Sequence, residues 1–382
     1  MSGPLVGTRI VMMGGLGPAP FCGMLLGDLG AEVVRVDRVN EVDESRPIDA
    51  LLRRSQRSIA LDMKSPAARD IVYALTERAD AFVEVFRPGV AERIGVGPGD
   101  LLTRNPRLVY ARMTGWGQDG AYAQMAGHDI NFIALSGALH AVGSAQTPVP
   151  PLNLLGDYGG GGMLLAVGLL SGIIEARQSG AGQVIDVAMF DAAATLMTVF
   201  YGLLAEGRWE DQRQANVLDG AAHYYRTYET ADGKHFAVGA MEPQFYQELC
   251  ARLGVTVPQD ATRDAWAAHG ETMAARFREK TRDEWEAELV TPHSCATPVL
   301  SLAEAPHHPH GAARGTFIEA GGVMQPAPAP RFSRTSPQIT SAPALPGDDT
   351  LDVLAELGIV GDAARELCDA GAARQAGSKE IA

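Results

Sequence analysis

Over the first 200 residues, hydrophobic and polar positions follow two alternating rhythms. Short apolar runs read as strands: RIVMM (Arg9–Met13), EVVRVD (Glu32–Asp37), SIALD (Ser58–Asp62), AFVEVF (Ala81–Phe86) and LVYARM (Leu108–Met113). Helical spacing fills the gaps, through Cys22–Leu29 and over Pro66–Arg78. The strands are largely apolar on both faces, as in a sheet covered on both sides. This β–α–β rhythm predicts an α/β class, with a Rossmann-like large domain and a mainly parallel sheet. Ligands of such sheets sit beyond the carboxyl ends of the strands.

At Tyr224 the pattern changes. YYRTYETADGKHFAVGAM alternates around an Ala-Asp-Gly turn and predicts a hairpin. Helical segments follow at Glu271–Lys280 and Arg282–Leu289, which suggests a smaller α+β domain. The expected organisation is a large domain at 1–200, a linker at 201–218 and the small domain at 219–317. An extended, Pro-rich connector at 318–347 and a C-terminal segment at 348–382 complete it. Leu351–Leu357 and Ala363–Asp369 predict a terminal helical pair, with the last dozen residues frayed. Tyr158–Ile174 carries no charge but only just reaches a membrane-spanning length. A buried helix in a soluble protein is the expectation.

Composition narrows the function. Charged residues are 20% and the hydrophobic class 46%, so extensive disorder is not expected. A formal net charge of −14 argues against broad nucleic-acid binding. It also makes the basic residues near strand ends informative: Arg35, Arg38, Arg53, Arg54, Arg57, Lys64, Arg87 and Arg93. Several of them could meet on one rim and hold a polyanion. The four cysteines, Cys22, Cys250, Cys295 and Cys368, form no CxxC pair. Neither a disulfide framework nor a zinc site is expected, and a reducing cytoplasm fits. The N-terminal MSGPLVGTRIVMM carries no signal-peptide pattern. The first strand is followed by GGLGPAPFCG, which lacks the G-x-G-x-x-G fingerprint and holds Pro18 and Pro20. A ligand other than a dinucleotide is implied.

Glycine stands out, at 43 residues. Four of them, Gly159–Gly162, follow Asp157 in NLLGDYGGGG. Asp157 could be the N-cap of the apolar helix that follows. A glycine-rich first turn instead suggests that backbone closely approaches a ligand. His128 in AGHDIN is a possible general base, with a satisfied core histidine as the bland alternative. His140, His223 and His269 take the bland reading. Glu242 in GAMEPQF could orient an imidazole or cap a helix, and both readings stay open. The HHPH run at 307–310 reads as a solvated loop rather than a metal site.

Residues 3–335 resemble the alpha-methylacyl-CoA racemases of the family III CoA-transferase superfamily. The resemblance rests on GPLVGTRIV, LGDLGAEVVRVDR, FRPGVAERIGVGP, YARMTGWGQDGAYAQMAGHDINFIALSG, PPLNLLGDYGGGGM and NVLDGAAHYYRTYETADGKHFAVGAMEPQFY. It implies an interlocked homodimer, with the active site between one chain's large domain and its partner's small domain. By motif, His128 and Asp157 are the acid/base pair that removes and returns the proton on the 2-methyl-bearing carbon. Glu242 would come from the partner and hydrogen-bond His128. Contacts to the CoA part of the thioester would fall on Arg38, on Leu61, Asp62, Met63 and Lys64, and on Val85, Phe86, Arg87 and Arg93. They would also fall on Gly127, His128, Asp129, Ile130, Asn131 and Phe132.

The chemistry agrees. A thioester acidifies its α-hydrogen, and inversion needs one proton-handling group on each face. The Asp157 N–H is expected to be one donor to the enolate oxygen. No metal and no separate cofactor are expected, since CoA is part of the substrate. No stable membrane association is expected. The rival is a CoA transferase using Asp157 as nucleophile, and the resemblance puts the GHDIN histidine on the racemase side. Met12, Met13, Met113, Met189 and Met197 are candidates for an apolar acyl-chain surface.

Overall fold

The computed structural model describes residues 3–42, 50–259 and 262–377. The strands are β1 (Arg9–Met13), β2 (Glu32–Arg38), β3 (Arg57–Leu61), β4 (Ala81–Glu84), β5 (Val109–Thr114) and β6 (Val184–Ala188). They continue as β7 (Tyr225–Glu229), β8 (His235–Gly239), β9 (Ala296–Pro298), β10 (Phe317–Ala320), β11 (Val323–Pro326) and β12 (Ala373–Arg374). The chain divides into two compact units. The first takes in residues up to Ser136, Leu152–Leu196 and the chain from Ile318. The second takes in Gly137–Pro151 and Met197–Phe317.

A seven-stranded sheet in the order β12-β3-β2-β1-β4-β5-β6 forms the first unit. All neighbours are parallel except β12, which runs antiparallel to β3. From β1 the chain winds outward to β2 and β3, then returns to β4 and winds the other way. The switch point, where ligands of such sheets bind, is therefore at the ends of β1 and β4. The strands are mainly apolar because the sheet is covered on both faces, with Arg35 and Asp37 in β2 and Glu84 in β4 as buried charged exceptions. Val11, Met13, Val34, Val36, Phe82 and Tyr110 pack into one core with Ile71, Leu75, Val353 and Leu354. Ile10, Met12, Val33, Val83 and Val109 pack into the other with Leu26, Leu165, Leu169 and Ile173.

Prolines open the helix after β1. It runs over Pro18–Asp28, starting earlier than expected, because a first helical turn does not need the N–H groups that Pro18 and Pro20 lack. Asp28 closes it and lies in a buried ion pair. Arg54 Nη2 is 2.7 Å from Asp28 Oδ2, and its Nη1 donates to Gln325 Oε1 (2.7 Å) and to the Pro326 carbonyl (2.9 Å). Ser55 Oγ also donates to Asp28, at 2.8 Å. Burial pushes the Asp28 carboxyl above its ordinary range, and the Arg54 charge opposes the rise.

The C-terminal segment is fastened to β3. Gly347 N donates to Ser58 Oγ at 2.8 Å, and Ala60 N donates to Thr350 Oγ1 at 3.1 Å. Thr350–Glu356 and Asp362–Asp369 form the expected helical pair. The expectation that the last dozen residues fray is corrected in part. Ala373 and Arg374 form β12, and the Gln375 side chain bonds Leu351 N and the Asp348 carbonyl. Residues 378–382 lie outside the described residues.

In the second unit, β7, β8 and β9 form an antiparallel sheet. Tyr228, Phe236, Leu249, Phe277 and Trp285 make its core. The hairpin lies where the Ala-Asp-Gly turn predicts it. The unit boundaries differ from the sequence expectation at two segments, 137–151 and 197–218. The second carries a helix, Thr198–Ala205, rather than a plain linker. Buried Asn216 ties it together, giving its Nδ2 hydrogens to the Glu210 and Gln212 carbonyls. Arg213 then binds the first of these segments, donating to the Ser144 and His140 carbonyls at 2.8 Å each.

Candidate active site

Two clefts open at the switch point. One, of about 600 Å³, is lined by Met13, Gly14, Arg38, the Leu61–Lys64 segment and Phe86. The other, of about 350 Å³, is lined by Leu16, Met113, Trp116, Met125, His128, Phe132 and Met189, with Val85, Phe86 and Arg87. Phe86 thus lines both. Its backbone is held by the acid just before it, since Phe86 N donates to Glu84 Oε2 at 2.6 Å. Glu84 is buried at the end of β4, and the Arg112 guanidinium lies 3.4 Å from it. Arg112 also pairs with Glu92 and donates to Gln118 Oε1 at 2.9 Å.

Burial pushes the Glu84 carboxyl up to about 7, against the pull of the Phe86 N–H and of Arg112. A raised carboxyl favours the folded state below its ordinary range and loses that contribution as pH rises through about 7. At 1.36 kcal/mol per pH unit the whole effect is on the order of 3 kcal/mol. Glu84→Gln keeps an acceptor for Phe86 N without a charge. Its melting temperature relative to wild type is therefore expected to rise between about pH 4.5 and pH 7 and to level off above that. Parallel pH curves for the two proteins would contradict this.

His128 caps the Asp129–Leu135 helix in an extended conformation, and its N–H donates to Asn131 Oδ1 at 3.0 Å. The residue is exposed and lines the second cleft. Gly127 is set close to Phe132, whose ring meets Trp116 edge-on at 4.8 Å between centroids. Trp116 is a lining residue that sequence reasoning passed over, although WGQDG is part of a motif quoted above.

Asp157 is not a helix N-cap. It lies within a π-helical segment, Leu154–Gly162, that runs into the Met163–Ser179 helix. Such segments recur at functional sites. Its glycines have a local cause. A Cβ on Gly159 would lie 2.8 Å from the Leu154 carbonyl oxygen, and one on Gly161 would lie 2.8 Å from that of Gly156. Gly160 would crowd Leu155 in the same way. In these three the nearest atom is the carbonyl oxygen five residues back, whereas a Cβ on Gly162 would meet the Phe21 ring at 2.7 Å. Packing within the chain thus accounts for the want of side chains at these four positions.

Around the Asp157 carboxyl, Asn153 Nδ2 donates to Oδ2 at 3.0 Å. Gly17, at φ +72°, approaches so closely that a Cβ there would be 3.2 Å from the same oxygen. Leu16 and Pro18, on either side of Gly17, line the cleft that His128 lines. His128 and Asp157 thus address one end of the sheet. The expectation that the Asp157 N–H serves an enolate is corrected: it donates to Asp129 Oδ2 at 2.7 Å.

Most of the other expected residues fall on these clefts. Arg38 and Leu61–Lys64 line the first, and Val85, Arg87, Gly127 and Phe132 line the second. Arg93 is exposed on the short Val90–Arg93 helix, of which Val90 faces the first cleft. Ile130 and Asn131 are exposed, whereas Asp129 is buried. Glu242 lies in the second unit, exposed, at the N-cap of the Pro243–Leu253 helix. Arg35 and Arg54 serve the core and not the rim: Arg35 Nε bonds Asp37 at 2.8 Å. Of the methionines, Met113 and Met189 line the second cleft, Met13 lines the first, and Met12 is core. Among the described residues no group of three His, Cys, Asp or Glu side chains could hold a metal ion.

Residues 5–350 match the family described as CoA-transferase family III. Alpha-methylacyl-CoA racemase of Mus musculus is 44% identical over 361 residues, 93% of each chain. That of Homo sapiens is 42% identical over 362 residues, again 93% of each. Succinyl-CoA–D-citramalate CoA-transferase of Chloroflexus aurantiacus is 28% identical, covering 87% of this chain and 88% of its own. Among solved structures, a CaiB/BaiF family protein from Brucella suis superposes with a TM-score of 0.82 at 25% identity. That match covers 94% of this chain and all of the other.

Proposed function

This chain belongs to CoA-transferase family III and is an isomerase; from that premise we propose that it inverts the 2-methyl-bearing carbon of 2-methylacyl-CoA thioesters. One of His128 and Asp157 takes the α-hydrogen from one face, and the thioester carbonyl accepts the charge as an enolate. The other returns a proton to the opposite face. The observation that carries this reading is their common position at the switch point. His128 lines the second cleft, and the Asp157 carboxyl abuts Gly17, between two residues lining the same cleft. The thioester acidifies its own α-hydrogen, so the chemistry calls for neither a metal nor a separate cofactor.

The CoA part fits the first cleft, with Arg38 and Lys64 of its lining suited to the phosphates. The acyl chain fits the second cleft, where Met113, Met125 and Met189 give a deformable apolar wall. A homodimer is part of the proposal, with Glu242 of the partner subunit orienting His128. Unpartnered apolar side chains support a dimer: Val167 and Ile174 on the long helix are 58% exposed, and so is Val199 in the second unit. Covering by a second copy suits that long helix better than a membrane, because Leu165, Leu169 and Ile173 already bury its other side in the core. A cytoplasmic location is also part of the proposal, in keeping with four cysteines that form no disulfide.

A CoA-transferase activity is the second reading, favoured by the transferases among the relatives. The test is incubation of one enantiomer of a 2-methylacyl-CoA in deuterium oxide. Deuterium at carbon 2 with loss of optical purity, and no CoA passed to an added acid, is expected. CoA transfer without deuterium uptake, through an acyl group trapped on Asp157, would overturn the racemase reading.

A further inference from the structure

Beside the two proposed proton-handling residues lies a further carboxyl group. Asp129 directly follows His128, and its side chain turns inward, leaving the residue 5% exposed. Its Oδ2 accepts the N–H of Gly156 at 2.6 Å and that of Asp157 at 2.7 Å. These amides sit in the first turn of the π-helical segment, where N–H groups lack partners within the helix. A carboxylate from another segment satisfies both, and its charge suits a helix N-terminus. The approach is as close as the backbone allows, since a Cβ on Gly156 would lie 2.7 Å from that oxygen.

We propose that Asp129 is a positioning residue: its carboxylate ties the His128 loop to the Asp157 backbone and so fixes the spacing of the two groups. The proposal rests on the racemase reading for its kinetic consequence, but the tie itself does not depend on which reaction occurs. The brace works through one oxygen. Asp129 Oδ1 is buried and has no hydrogen-bond partner among the described residues. Burial also pushes this carboxyl above its ordinary range, against the pull of the two N–H groups.

The resemblance to the racemases puts Asp129 among the CoA contacts, and the two roles separate kinetically. A CoA contact is lost as affinity, whereas a brace is lost as turnover, because misplacement by about an ångström can cost on the order of 100-fold in rate. Asp129→Ala is expected to lower kcat about 10–100-fold with KM changed less than about twofold. Asp129→Asn is expected to recover most of that loss. Its amide oxygen can accept both N–H groups, and its NH2 takes the place of the partnerless Oδ1.

Gly156→Ala forces the same pair apart with Asp129 intact, and is expected to mimic Asp129→Ala. It decides the matter if Asp129→Ala does not fold. Amide hydrogen exchange at Gly156 and Asp157 reads the brace independently of activity, with protection kept in Asp129→Asn and lost in Asp129→Ala. A KM rise at unchanged kcat, or Asp129→Asn as impaired as Asp129→Ala, would overturn the proposal. So would unaltered amide protection in Asp129→Ala. Loss of the racemase reading would show differently, as wild-type protein that takes up no deuterium while the amide results hold.

Discussion

Asp157→Asn is expected to slow interconversion of 2-methylacyl-CoA enantiomers by about 10²–10⁴-fold, the range for removing one general acid or base. The variant conserves shape. Asparagine can still accept from Asn153 Nδ2, and its own N–H can still reach Asp129. The KM is therefore expected to change little. A two-group mechanism adds a sharper signature. With the carboxyl gone, His128 still reaches the α-hydrogen from its own face, so one enantiomer continues to exchange with solvent without inverting. His128→Ala gives the mirror result, with exchange confined to the other enantiomer. Chiral analysis together with deuterium content separates these outcomes. Racemisation at the wild-type rate in either variant would remove that residue from the mechanism.

The largest expected loss of stability is at Arg54. Its guanidinium neutralises Asp28, which is 1% exposed, and also satisfies Gln325 Oε1 and the Pro326 carbonyl. Arg54→Ala leaves a buried carboxylate with only Ser55 as a side-chain donor. Breaking one partner out of a buried pair costs about 3–5 kcal/mol, a large part of the 5–15 kcal/mol typical of a whole protein. Much of that cost is the stranded charge, so Arg54→Met combined with Asp28→Leu is expected to recover most of it. Urea denaturation of the three proteins checks both statements. A loss below about 1 kcal/mol in Arg54→Ala would mean that water reaches Asp28.

The parallel strands β1 to β5 were legible because they are largely apolar on both faces, so their signal is strong over a few residues. Strand β6 was not. At this edge of the sheet Val184 and Asp186 are exposed and only Val187 and Ala188 are buried, so the run resembles a loop beside long helices. Strand β12 is two residues whose only reason to be extended is the edge of β3, which no local pattern reveals. In the site, His128, Asp157 and Phe86 could be singled out from motifs. Their supports could not. The π-helical turn at Asp157 depends on an acceptor 28 positions away, and Glu84 holds Phe86 through a side chain that reads as one polar residue in a strand. Rim arginines were ambiguous for a related reason. Arg38 faces a cleft and Arg35, three residues earlier, faces the core, a distinction made by the partners Asp37 and Ala344.

The late arrival of β12 has a kinetic meaning. Leu61 and Ala373 are neighbours in the sheet but stand at opposite ends of the chain, with the whole second unit threaded between them. Pairings this distant carry a high loop-closure cost and form slowly. Until they form, β3 is an open edge on a parallel, apolar sheet, a template for joining strands of other molecules. Refolding yield is therefore expected to fall as protein concentration rises, because β3 stays unpaired until the C-terminal segment arrives.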